Sequence, residues 1–260
     1  MRDDYIYVHF ESLVNLIYSR GISAGDFMNG VLQRPSNILL INGQTNDDLP
    51  IDSHTLFNEL SGQDEIAEYM LTGAKQLRWI DFSQKESIGD LTDSDIADLL
   101  FMGHMGTHLS TPFSYKLQND FVYLSLGENQ VKTYYRRLKN FYSVLNLSIL
   151  RHAETMQNEH RMMFRRVVHF DEIPQTMIRE LIPVLSEGII FAFDQAFEQD
   201  RQYRIPILMV SDSNLAPTLR SRESLYNKAA QIAVLKYNFK SRHWHMVISD
   251  PKAFDSDNLY

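Results

Sequence analysis

The chain has 260 residues, 44% hydrophobic and 22% charged, with a formal net charge of −8; this is the composition of a globular protein long enough to bury a large core in one domain or two. It contains no cysteine, which excludes disulfides, thiolate zinc sites, iron–sulfur clusters held by the chain and a cysteine nucleophile. Asp3 and Asp4 stand where a secretory signal needs basic residues, and Pro183, Ser186, Glu187 and Asp194 break the most apolar stretch, Ile182–Phe197, so a soluble cytoplasmic protein with no membrane contact is expected.

Tyr5–Val8 alternates aromatic and β-branched residues as a short strand does, and a helix is expected from about Phe10 to Arg20, stopped by Gly21. Ile38, Leu39, Leu40 and Ile41, between Pro35 and Gly43, read as a buried strand, and Gln44–Asp52 as a polar, turn-rich segment. Ser61 and Asp64 form a capping-box pattern for a helix through Leu71, ended by Gly73; Gln76–Phe82 reads as a strand. Thr92 and Asp95 repeat the box for a helix through Met102, ended by Gly103. The two capped helices align without a gap, Asp64–Gly73 on Ser94–Gly103. Two copies make neither a solenoid nor a propeller, and shared amphipathic grammar accounts for the likeness.

Phe113–Leu117 and Phe121–Leu126, joined by Gln118, Asn119 and Asp120, carry a hairpin pattern. From Val131 the spacing turns helical: Val131, Tyr135, Leu138, Tyr142, Leu145, Ile149, His152 and Met156 recur at threes and fours as one apolar stripe, with Lys132, Arg136 and Lys139 on another side. Pro174 suits the first turn of a second long helix, Gln175 to about Phe197, whose Glu180, Glu187, Asp194 and Glu198 form an acidic stripe. Ile205–Val210 reads as a strand, Arg222–Leu235 as a helix, Tyr237–Ser249 as a strand or hairpin, and the last ten residues as frayed. These elements predict an α+β fold: a mixed, largely antiparallel sheet with long helices of the C-terminal half packed on it. The expected division is a strand-rich α/β region over 1–127 and a helix-rich region with C-terminal strands over 128–260, or one continuous domain.

Charge is sorted along the chain. Val131–Arg166 holds eight basic and two acidic side chains, net +6, whereas residues 1–130 carry −12 and residues 167–260 carry −2. A local positive field of this kind complements an acidic surface of the same fold or receives an anionic ligand. Arg136, Arg137, Lys132 and Lys139 with Tyr134 and Tyr135 are the candidate anion site, because guanidinium forks fit phosphate or carboxylate and tyrosine adds a flat wall.

Other chemistries have less to draw on. His243 and His245 share one strand face but lack a third ligand, so no metal is expected, nor any other cofactor. His104 and His108 stand four apart near Gly103 and Gly106, where a helix ends, and are the candidate catalytic pair for an enzyme acting on an anionic, phosphorylated or carboxylated small molecule. No His-Glu-x-x-His, Gly-x-Ser-x-Gly, phosphate-loop or dinucleotide-loop motif is present. A helix-turn-helix-like unit over 92–126 would make the protein a DNA-binding regulator, with the basic helix on the phosphate backbone. Its recognition segment, Gly106–Pro112, has no Lys or Arg, and nucleic acid is not the expected partner. The favoured expectation is a non-enzymatic protein that binds a ligand or partner and self-associates as a homo-oligomer through its helical region.

Overall fold

A computed structural model describes residues 4–41, 57–71, 77–104, 112–127, 130–159, 167–210 and 222–254. The fold is α+β, as expected, and is dominated by one twelve-stranded sheet in which every described pairing is antiparallel. In chain order the strands are β1 (Ile6–Glu11), β2 (Leu16–Arg20), β3 (Asn37–Ile41), β4 (Phe57–Ser61), β5 (Arg78–Asp81), β6 (Phe121–Gly127), β7 (Gln130–Tyr135), β8 (Ile189–Phe191), β9 (Phe197–Gln199), β10 (Gln202–Met209), β11 (Ala230–Asn238) and β12 (His243–Ile248). They lie side by side in the order β12-β11-β10-β8-β1-β2-β7-β6-β5-β3-β4, with β9 also on β10. The β6–β7 pair spans residues 127–130, so strands from both sides of that point belong to the same sheet.

The first departure from expectation lies at residues 10–20, where β1 and β2 form a hairpin in place of a helix. Asn15, at φ 51°, turns the chain in the left-handed region that Asn tolerates. The alternation that follows sends Ile6, Val8, Phe10 and Ile17 into the main core and Tyr7, His9 and Tyr18 to the opposite face.

Helix α1 (Ala24–Gly30) had no counterpart in the expected elements. Its start is a capping box: the Asp26 amide donates to Ser23 Oγ at 3.0 Å, and the Ser23 amide donates to Asp26 Oδ2 at 3.1 Å. A Cβ on Gly30 would come 2.6 Å from the Val144 Cα. The missing side chain is therefore what lets α1 lie close against the long helix α5 (Leu138–Glu159). Arg151 of α5 pairs with the buried Asp26 at 2.8 Å and ties the two helices together.

Helices α2 (Gln63–Leu71) and α4 (Asp93–His104) form where the capping grammar places them, and short α3 (Glu86–Gly89) lies between them. At α4 the Thr92 amide donates to Asp95 at 2.7 Å. Phe113–Leu117 is a turn and not the first strand of a hairpin; β6 pairs instead with β5 and β7 inside the sheet. Asp81 at the end of β5 fixes that turn by accepting the amides of Asp120 and Phe121 at 3.0 and 2.6 Å. Burial pushes its carboxyl up to about 7 despite those two donors. The folded pKa lies above the unfolded value, so this group's contribution to stability is complete in acid and declines as pH rises from about 4 to 7. Urea unfolding over that range should show the decline in the native chain and a weaker one in Asp81→Asn; parallel profiles would count against it.

The two long helices expected after Val131 are not both present. Residues 130–135 are strand, so α5 begins only at Leu138 and its buried side is Phe141, Tyr142, Val144, Leu145, Ile149 and Ala153. The apolar stripe expected to mediate self-association is thus spent inside the chain, on the sheet and on α1. The run from Gln175 is cut into α6 (Gln175–Glu180), α7 (Ile182–Leu185) and the buried strand β8, which scatters the expected acidic stripe over separate elements. Likewise Arg222–Leu235 is the short helix α8 (Arg222–Tyr226) followed by β11. Gln44–Asp52, Gly73, most of Gly106–Pro112, Arg161, Arg165, Arg166 and the end of the chain lie outside the described residues.

Near β10–β12 the segment ahead of α6 is held by an aromatic cluster. Phe170 packs against Tyr203, Tyr237, Phe239 and Trp244 with centroids 4.9–5.9 Å away. Next to it Asp171 receives both arms of Arg242 and the Tyr237 hydroxyl, which hold its carboxyl well below the usual range. The Tyr203 hydroxyl is buried and finds no hydrogen-bond partner among the described residues, and an unsatisfied buried polar group costs stability. Tyr203→Phe is expected to be neutral or stabilising by up to about 1 kcal/mol; a clear loss in a thermal melt would reveal a partner for the hydroxyl.

Candidate functional site

Three neighbouring strands in the middle of the sheet, β1, β2 and β7, build the site. Tyr7 lies opposite Arg20 and His9 opposite Tyr18; across the next pairing Tyr18 lies opposite Lys132, Arg20 opposite Gln130, and Leu16 opposite Tyr134. Side chains alternate along each strand, so Tyr5, Tyr7, His9, Tyr18, Arg20, Gln130, Lys132 and Tyr134 all belong to the face opposite α5. They form a polar belt between two apolar patches, one around Leu39, Ile80, Val122 and Leu124, the other around Ile190, Leu208, Val210 and Leu225.

Within the belt Lys132 is only 1% exposed and His9 only 2%. The Lys132 ammonium stands 5.7 Å from the ring centre of Tyr18 and 5.3 Å from that of Tyr134, within cation–π range. Burial lowers its pKa to about 8. The Tyr18 hydroxyl is pushed up by burial and then by Glu11. The Tyr7 hydroxyl and His9 Nδ1 are 3.3 Å apart. Arg20 and Arg222 both stack on Tyr5, at 5.6 and 5.9 Å. Where Tyr7, Tyr18, Arg20 and Gln130 meet, a cavity of about 10 Å³ remains, closed by Leu126 and by Leu225 of α8; this is about the room one water needs.

Of the residues singled out from the sequence, Lys132 and Tyr134 lie in this belt. Tyr135 points the other way, into the main core between Phe121 and Phe141. Arg136 and Arg137 sit in the turn between β7 and α5 and serve Asp120: Arg136 Nε lies 3.6 Å and Arg137 Nε 4.0 Å from its carboxylate. Arg136 Nε also donates to the Asn119 carbonyl at 2.7 Å, and its guanidinium covers the Phe113 ring. Lys139 is exposed on α5. The expected helical stripe of Lys132, Arg136 and Lys139 therefore does not form, because the three lie on a strand, a turn and a helix.

His104 ends α4, and His108 lies outside the described residues. His243 and His245 share one face of β12, while Trp244 is buried on the other and donates its indole N–H to the Asp171 carbonyl at 2.6 Å. Burial lowers the His245 pKa, followed by the nearby charges of Lys236 and Arg204, and such cationic neighbours oppose a metal ion. Among the described residues no cluster of three or more His, Asp or Glu could hold one.

Tyr7, His9, Tyr18, Arg20 and Gln130 were not among the sequence candidates. The signal was present in the alternation of Tyr5, Tyr7 and His9 and of Tyr18 and Arg20. A larger groove, about 510 Å³, runs between α1, α5 and residues 172–175. Asn146 in its wall spends its amide on the Ile173 N–H and C=O, and among the described residues that line it the one ionisable side chain is Glu172. Its chemistry does not suit an anion. The chain matches no protein-family model, no curated protein sequence and no solved structure, so functional inference rests on the geometry. Among the described residues no helix is long and apolar enough to cross a membrane.

Proposed function

We propose that the protein is a non-enzymatic binding protein for a small anionic ligand, received on the sheet face around Lys132 and Arg20. The observation that carries this reading is Lys132 itself, a lysine 1% exposed on an inner strand. It shares one sheet face with Arg20 and with the phenols of Tyr7, Tyr18 and Tyr134, so two cationic side chains stand together among hydroxyl groups. Lys132 and Arg20 supply positive charge, while the phenols of Tyr7, Tyr18 and Tyr134 and the amide of Gln130 supply donors suited to a carboxylate or oxyanion.

The test is thermal unfolding in phosphate, sulfate or acetate, with ionic strength matched by chloride so that screening is constant. A ligand that binds the folded state raises the melting temperature saturably. The rise should be present in the native chain and in Arg136→Glu, and absent in Lys132→Met and Arg20→Gln. No saturable rise, or a rise abolished by Arg136→Glu and kept by Lys132→Met, would refute the assignment.

A further inference from the structure

We propose that the outer edge of β12 pairs with the same strand of a second copy of this chain, making a two-fold dimer in which the sheet continues from one molecule into the next. The proposal is independent of the anion-binding reading, whose strands lie in the middle of the sheet.

Strand β12 stands at one end of the strand order, and among the described residues no strand pairs with its outer side. On the inner side the Ser249 amide donates to the Ile232 carbonyl of β11 at 2.7 Å. Backbone groups alternate along an antiparallel strand, so His243, His245 and Val247 turn theirs to β11 while Trp244, Met246 and Ile248 turn theirs outward. Such an edge is a template for another strand, and proteins guard it with charge, proline or a bulge. The His-Trp-His-Met-Val-Ile sequence of β12 contains no Lys, Arg, Asp, Glu or Pro, and its register with β11 has no bulge. At the opposite end of the sheet, by contrast, β4 carries Glu59 in an ion pair with Lys85. Val247 and Ile248, each 40% exposed, add apolar surface beside the open edge.

A second copy fits because β12 complements itself about Met246. In antiparallel register Trp244 falls opposite Ile248 of the second copy, Met246 opposite Met246, and Ile248 opposite Trp244. All three positions have outward backbone groups, and each such pair exchanges two hydrogen bonds, about six in all. Tryptophan against isoleucine is an aromatic–β-branched pair, a combination that stabilises facing strands. Trp244 and Met246 already pack on the main core, so these pairs extend that core across the junction. On the other face His245 falls opposite Val247 and His243 opposite Ser249, so no two like charges meet.

Sedimentation equilibrium of the full chain tests the dimer. The native protein is expected to approach twice the chain mass as concentration rises. Met246→Lys and Met246→Glu should each be monomeric, because like charges then face across the two-fold axis, and an equal mixture of the two should regain the dimer. Cysteine supplies a second measurement that leaves the strand uncharged, since the native chain has none. Under a mild oxidant Met246→Cys should form an interchain disulfide, because facing Cα atoms in such a pair stand about 5.5 Å apart. Ile248→Cys should not, because its counterpart lies four residues further along the facing strand. A native chain that is monomeric at every concentration, with no cross-link through Met246→Cys, overturns the proposal and leaves the edge to a foreign strand. A dimer that survives both charged variants, or that cross-links equally through either cysteine, places the interface elsewhere and overturns it as well. If the charged variants fail to fold, the cysteine pair alone decides.

Discussion

Phe27→Ala is expected to destabilise the protein by about 3–5 kcal/mol. Phe27 comes from α1 and is 1% exposed. Its ring meets Trp79, Phe121 and Tyr123 edge-on at 5.5, 5.3 and 5.1 Å, and Tyr135 at 6.0 Å. These partners come from β5, β6 and β7, so the ring is the peg by which α1 is fastened to the sheet. Truncation removes the transfer energy of a whole aromatic side chain and leaves a hole that rigid neighbours cannot fill: Trp79 and Tyr123 are already stacked within 6° of parallel. Urea unfolding monitored by tryptophan fluorescence reads the change as a fall in midpoint with an unaltered slope. A loss under about 1 kcal/mol would mean that α1 can be lifted without disturbing the aromatic core.

Lys132→Met is expected to act in the opposite direction on stability while abolishing anion binding. The native lysine titrates near 8 when folded and near 10.5 when unfolded, so the unfolded chain binds its proton more tightly. At pH 7 this costs the fold up to about 3 kcal/mol, since each pK unit is worth about 1.4 kcal/mol. The cost is relieved as pH rises through 8 toward 10.5, because both states then release the proton. Methionine matches the stem in volume and carries no charge. The variant should therefore be more stable than the native chain at pH 7, and its advantage should vanish by about pH 10.5. Denaturant midpoints at several pH values decide the matter. A Lys132→Met protein that is weaker at every pH would show that the contacts of the ammonium within the fold, those with Tyr18 and Tyr134 included, outweigh its burial cost, which makes it a structural ion and not a receptor.

How much of this was legible beforehand depended on whether local pattern and tertiary context agreed. The Thr92–Asp95 box, the Ile38–Ile41 run and the strand at Ile205–Val210 are local statements, and the fold keeps them. Val131 and Tyr135 misled for a geometric reason: residues four apart share a face on a strand as well as on a helix. The two therefore join the stripe of α5 in sequence while belonging to β7 in space, and both reach the same core. That coincidence made Lys132 look like a surface lysine on a basic helix. At residues 10–20, Leu13, Val14, Leu16 and Ile17 mimic helical spacing, yet Leu13 sits at the hairpin tip, 90% exposed. Reading that hairpin as a helix hid Tyr18 and Arg20, and with them the half of the belt that faces Lys132. Arg136 and Arg137 were rightly seen as charged neighbours of something acidic; their partner Asp120 is sixteen residues or so back along the chain and meets them only because β6 and β7 pair.

The central place of β1 and β2 also governs the order in which the protein can assemble. Strand β2 finds β7 once residues 130–135 exist, but the other side of the hairpin, Ile6–Glu11, waits for Ile189–Phe191. At ribosomal speeds that interval is roughly ten to forty seconds. For its duration an apolar strand offers an open edge, the kind of surface that recruits foreign strands, and closing the sheet afterwards requires contacts between residues far apart in sequence, which fold slowly. The arrangement that gathers Lys132, Tyr18 and His9 into one belt thus leaves the nascent chain open to misassembly until its last third has been made, and refolding at high concentration should lose material to aggregates through that same edge.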